Sequence, residues 1–235
     1  MIKTIILYFS AFFLLICESL THAAPISANE FAMLQSKANA GDIKAETLVG
    51  MAYLLGHGTQ QNVNQGLAHL SRTATAGDAL AQFTLGTLYL IGSPELPQND
   101  QQAFLWFEKA ANQGDQDATY AVSRLYAQGR GVKQSDSKAL QTLTKVTDPA
   151  QAEYILGTWY SSDKFLGDNA KKAFKYFEKS ANKGNADAQH RLGHLYNDGK
   201  GVSQNPKKAQ EWLVKAAAQG HKNAQKHLDS GTFED

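Results

Sequence analysis

Six alanines set the architecture of this chain. Ala45, Ala81, Ala118, Ala152, Ala188 and Ala224 follow one another at intervals of 36, 37, 34, 36 and 36 residues, and each opens a similar apolar phrase. The phrase reads Leu85-Gly86-Thr87-Leu88-Tyr89, Leu156-Gly157-Thr158-Trp159-Tyr160 and Leu192-Gly193-His194-Leu195-Tyr196, with looser versions at Val49-Gly50-Met51-Ala52-Tyr53 and Val122-Ser123-Arg124-Leu125-Tyr126. Self-similarity at this period means an array of supersecondary units, none of which buries its apolar face alone. The 235 residues would otherwise suggest one or two globular domains, and the repeat overrules that prior.

Each unit divides into two helical patterns. In the third, Ala103, Trp106, Phe107, Ala110 and Ala111 share one helix face, Gly114 follows as a stop, and Ala118, Val122, Leu125 and Tyr126 share the face of a second helix that ends at Gly129-Arg130-Gly131. No stretch alternates with period two, so no sheet is expected. The expected fold is all-α, with about six two-helix repeats near residues 28–63, 64–99, 100–136, 137–170, 171–206 and 207–235. The fourth repeat is two residues short at its inter-helix turn, where Asp148-Pro149 replaces glycine. It also has Thr142 where the third has Trp106. Residues 136–165 are therefore expected to be the weakest part of the array. Gly86, Gly157 and Gly193 are expected at close helix contacts, which need small side chains. At the end of the array the sixth copy turns polar, Leu228-Asp229-Ser230-Gly231-Thr232, as a terminal cap would.

Residues 1–23 carry a different signal. Lys3 precedes an apolar run from Ile5 to Ile16, and Thr21-His22-Ala23 places small residues where a signal peptidase reads. A dozen apolar residues fall short of the roughly 20 that span a bilayer. A cleaved leader is expected, followed by an exported chain, periplasmic or secreted, with no membrane span. Cys17, the single cysteine, lies inside the leader. The whole chain carries 23 Lys and Arg against 22 Asp and Glu, with no basic run to attract nucleic acid.

Phrases such as Trp106-Phe107-Glu108-Lys109-Ala110-Ala111-Asn112-Gln113-Gly114 and Trp212-Leu213-Val214-Lys215-Ala216-Ala217-Ala218-Gln219-Gly220, followed by Ala, Leu-Gly and Tyr, resemble Sel-1-like repeats, relatives of the tetratricopeptide repeat. The resemblance covers roughly residues 28–229. It implies a right-handed α/α solenoid and a non-enzymatic scaffold or adaptor for a protein or peptide partner, such as an assembly factor, an envelope regulator, a host-interaction factor or an immunity protein. One subset of the family has a disulfide in every repeat and is connected with β-lactam binding. A β-lactam-binding or hydrolysing enzyme is thus the alternative reading, from which a cysteine-free mature chain departs.

Two surface rows are candidates for partner binding. Two residues beyond each repeated alanine stand Thr47, Phe83, Tyr120, Tyr154, His190 and Lys226, aromatic in the middle. An exposed row of this kind would grip a peptide or helix; packing against the next unit is the ordinary alternative. On the first helix of the third copy, Gln102, Leu105, Glu108 and Lys109 line the concave face by analogy with related repeats. Catalytic patterns are weak. Ser135 to Lys138 and Ser161 to Lys164 have Ser-x-x-Lys spacing but no companion Lys-Thr-Gly, and the expected role is polar loop and helix capping. His190 and His194 stand four apart, with His221 and His227 in the next copy, yet without the glutamate of His-Glu-x-x-His. Surface or packing roles are expected for them, with no metal and no cofactor.

Overall fold

The helices of this chain begin where a side chain can satisfy their unpaired amides. The computed structural model describes residues 26–162 and 169–231, so the leader reading of residues 1–23 lies outside the described residues. Among those described there are twelve helices and no strand. Residues 1–99 and 100–235 separate into two units. The first holds α1 (Ala28–Asn39), α2 (Ile43–Leu55), α3 (Val63–Thr75) and α4 (Ala79–Ile91). The second holds α5 (Asp100–Asn112), α6 (Gln116–Gln128), α7 (Asp136–Leu143), α8 (Pro149–Ser162), α9 (Ala170–Asn182), α10 (Ala186–Asp198), α11 (Pro206–Ala218) and α12 (Lys222–Ser230). Within each unit every helix packs on the next in sequence.

The repeated alanine has a partner three residues earlier. Asp42, Asp78, Asp115, Asn185 and His221 cap the second helices, accepting hydrogen bonds from the backbone N–H of Ala45, Ala81, Ala118, Ala188 and Ala224 at 2.7 to 3.1 Å. In the shortened fourth copy Asp148 accepts from Ala150 and Gln151 instead, with Pro149 in the first helical position where its missing N–H costs nothing. Each such cap is worth about 1 kcal/mol. The six alanines themselves are buried.

The Gly-x-Gly stops do two jobs. Gly129 ends α6 in the left-handed conformation with φ of +69°, which glycine adopts without a Cβ clash. Gly131 lies so close to the carbonyl of Asp100, at the start of α5, that an added Cβ would collide with it. Gly201 meets the carbonyl of Ala170 in the same way, and Gly58 that of Ser27. The chain leaving a second helix is thereby pressed onto the start of its own first helix. Gln61, Gln134 and Gln204 seal the same corner, each donating to a carbonyl in the last turn of the second helix at 2.7 Å. Edge-to-face ring pairs recur inside the helix pairs as Phe31 with Tyr53, Phe104 with Tyr126 and Phe174 with Tyr196, at 5.1 to 5.3 Å.

Contact between copies uses glycine on one side and a large side chain on the other. A Cβ on Gly157 would stand 2.9 Å from the ring of Phe177, and one on Gly193 would stand 2.8 Å from Leu213. Both glycines are therefore close-contact positions, as their placement five residues after the repeated alanine suggests. Gly193→Leu should lower the stability of the chain by about 1 to 3 kcal/mol in urea unfolding; an unchanged midpoint would show that the contact can open without cost.

In the fourth copy only one helix is short. The first helix, α7, is 8 residues long against 12 or 13 for the other first helices. By contrast Leu156 and Tyr160 of α8 sit fully buried in a core cluster with Phe177 and Leu192. One polar cluster ties α7 down. The hydroxyls of Tyr160 and Tyr176 donate to the two carboxylate oxygens of Asp136, the second at 2.8 Å, and Lys172 Nζ lies 2.9 Å from the Tyr160 hydroxyl. Burial, followed by the Asp136 carboxylate, pushes both phenols well above their usual range. Amides of α7 should exchange with solvent faster than those of α8; equal protection in hydrogen exchange would contradict this.

Candidate functional site

Four of the chain's seven histidines lie between residues 190 and 227, and the fold of the second unit draws them into one group. His190 and His194 stand one turn apart on α10, His221 caps α12, and His227 lies in the last turn of α12. His190 occupies the centre. Its ring stacks on His221 at 4.4 Å and on His227 at 5.3 Å, and meets His194 edge-on at 4.7 Å. His194 also meets His227 edge-on at 4.9 Å. His190 is 6 % exposed and His227 4 %, whereas His194 is half-buried.

The polar edges of these rings are not equivalent. His221 Nδ1 accepts the Ala224 N–H at 3.1 Å, which places the proton of its neutral form on Nε2, 3.2 Å from Asp187 Oδ1. Both its nitrogens are thus committed to structure. His190 Nε2 and His194 Nε2 instead face each other at 3.2 Å. One nitrogen from each of His190, His194 and His227 lies within 4.8 Å of the others. Burial lowers the His190 pKa to about 4, helped by the surrounding His194, His221, His227 and Arg191, so this ring is neutral at pH 7. A recess of about 370 Å³ opens beside the group, lined by His190, His221 and His227 with Tyr154, Asp187, Arg191, Asn223 and Lys226.

The row predicted two residues beyond each alanine is only partly a surface. Thr47, Phe83 and His190 are buried. Thr47 donates its hydroxyl to Asp78, the cap of α4. Tyr120 and Tyr154 are half-buried, the latter against Phe177 at 5.7 Å, and Lys226 is exposed. Of the six, Tyr154, His190 and Lys226 meet at the recess. On α5, Leu105 is 47 % exposed, Gln102 and Glu108 are half-buried, and Lys109 holds its ammonium 4.0 Å over the Trp106 ring. Ser135 caps α7 through the Lys138 N–H at 3.3 Å. Ser161 is in the last turn of α8 rather than in a loop, bonded to the Thr158 carbonyl, and Lys164 lies outside the described residues.

Sequence reasoning sets His221 and His227 beside the His190–His194 pair but cannot choose between them, since the approach of each depends on how α12 packs. The one signal along the chain is local density, four histidines in 38 residues. Replacing His221 by Ala should cost about 1 kcal/mol of stability through the lost cap, and His221→Asn should restore most of it; thermal unfolding in which Asn performs no better than Ala would contradict the capping role.

A family model described as Sel1 repeat matches residues 43–78, 79–115, 116–141, 150–185 and 186–221. Each complete match begins on a second helix and ends after the next first helix, out of phase with the pairs that the sequence delimits. Among solved structures, the chain is similar to a protective antigen of uropathogenic Escherichia coli with an SLR fold, at 28 % identity and a TM-score of 0.54 over 84 % of this chain and 43 % of the antigen. It is similar also to a Sel1 repeat protein from Oxalobacter formigenes, at 26 % identity and a TM-score of 0.53, covering 80 % of this chain and 77 % of the other. An uncharacterized protein of Neisseria meningitidis serogroup B is 25 % identical over 144 residues, 60 % of this chain and 30 % of that protein. The chain therefore spans less than half of the Escherichia coli and Neisseria proteins.

Proposed function

The chain belongs to the Sel1 repeat family, and from that premise we propose that it is a non-enzymatic scaffold, exported to the bacterial envelope or beyond, that holds a protein or peptide partner on its solenoid surface. Sel1-repeat solenoids generally serve as scaffolds for protein interactions. The local chemistry supports this reading, since the recurring polar residues are occupied with helix ends. Ser135, the serine of one Ser-x-x-Lys pair, is a helix cap.

One observation carries the proposal. The first unit leaves an aliphatic stripe on α2: Leu48 is 41 % and Leu55 38 % exposed, with half-buried Met51 between them. At spacings of three and four residues these side chains share one face, while Val49 and Gly50, on the far side of the helix, are buried. Single exposed leucines are ordinary, but an aligned set on a rigid helix offers an apolar partner a ready contact. Export is supported by Lys3 and the apolar run before Thr21-His22-Ala23.

Immobilised chain beginning at Ala24 should retain a specific protein from an envelope extract of its own organism, and Leu48→Glu/Leu55→Glu should abolish the capture while leaving helicity intact. Retention of the same protein by the double variant would overturn the stripe as the binding surface.

A further inference from the structure

We propose that His190, His194 and His227 form a binding site for a divalent transition-metal ion, zinc or another of the imidazole-preferring class, that clips α12 to α10. Two nitrogens each about 2.0 to 2.1 Å from a tetrahedral zinc lie roughly 3.3 Å apart. His190 Nε2 and His194 Nε2 are 3.2 Å apart, so two-thirds of the ligand set already has the right bite. The third nitrogen, from His227, lies within 4.8 Å of the other two and comes to bonding distance with a shift of roughly 1.5 Å.

Ring packing by itself would not require this convergence. His221 belongs to the same stack, yet turns its nitrogens to the Ala224 amide and to Asp187. The other three bring one nitrogen each within 4.8 Å of one another. An all-imidazole set selects against the hard cations magnesium and calcium, which take oxygen ligands. Three ligands leave a fourth position for water or another small ligand, and the recess that His190 and His227 line also carries Arg191, Lys226 and Asp187.

An ion here would bridge the two last second helices. The α12 helix is only nine residues long and its buried side chains are Ala224 and His227 alone, so a cross-link through His227 would reinforce a short helix with little buried surface.

The test uses the tag-free chain, stripped with chelator and dialysed against zinc or cobalt(II). One equivalent of zinc should bind, the melting temperature should rise with zinc concentration as mass action requires, and cobalt should give the intense visible absorption of a tetrahedral site. His194→Gln, at a half-buried position that tolerates the change, and His227→Gln should each weaken zinc binding by more than the 10- to 100-fold that loss of an outer-shell partner costs. His221→Asn, which keeps the cap, should bind as wild type does. Absence of stoichiometric uptake by the wild type, or undiminished uptake by His194→Gln, would overturn the site.

Discussion

The seat of a large side chain on a glycine in the preceding helix, Phe177 over Gly157 and Leu213 over Gly193, governs how closely successive copies approach. A methyl group at Gly157 would press on the Phe177 ring and push the helices apart, whereas one at Gly193 would meet the more yielding tip of Leu213. Packed helix axes lie about 8 to 10 Å apart depending on the side chains at the contact, and the close end of that range needs one side to contribute little. The caps, the Gly-x-Gly corners and the recurring ring pairs then orient each helix so that its alanine–glycine face meets the next. Within each unit each copy is buried by its neighbours, so these contacts pass from helix to helix along the chain.

Side-chain size and spacing along the chain decide which of these features are legible in the residues alone. Helix pairs, their stops and the close-contact glycines follow from them, and they stand at Gly129, Gly157, Gly193 and Asp148 where expected. The caps at Asp42, Asp78, Asp115, Asn185 and His221 are equally regular, three residues before each alanine, although their mixed chemistry makes a fainter pattern than the apolar phrase that follows. What the sequence does not supply is anything decided by rotation of one helix on another. Phe83 and His190 stand in register with Tyr120 and Lys226, yet the first two are buried and Lys226 is exposed. Local crowding, which differs from copy to copy, sets that outcome. Asp136 is a second case: nothing in its spacing announces two tyrosine hydroxyls, from α8 and α9.

The histidine group shows the same boundary from the functional side. A pair four residues apart is a common accident of helical sequences, and its meaning depends on what the next helices bring. Here α12 brings His227 to the pair and spends His221 on a cap, giving chemically distinct roles to histidines six residues apart. The aliphatic stripe on α2 belongs to the other unit, and the partner contact proposed for it is a separate matter from cohesion of the array.

Copy-to-copy contact thus depends on glycine beneath a large neighbour. A double-mutant cycle on Gly157→Ala and Phe177→Leu measures this dependence most directly, because the ring atoms of Phe177 cannot flex away as a leucine tip can. Gly157→Ala should cost less in the Phe177→Leu background, with a coupling of at least about 0.5 kcal/mol. Equal cost in both backgrounds would mean that the two residues do not set the approach of the helices.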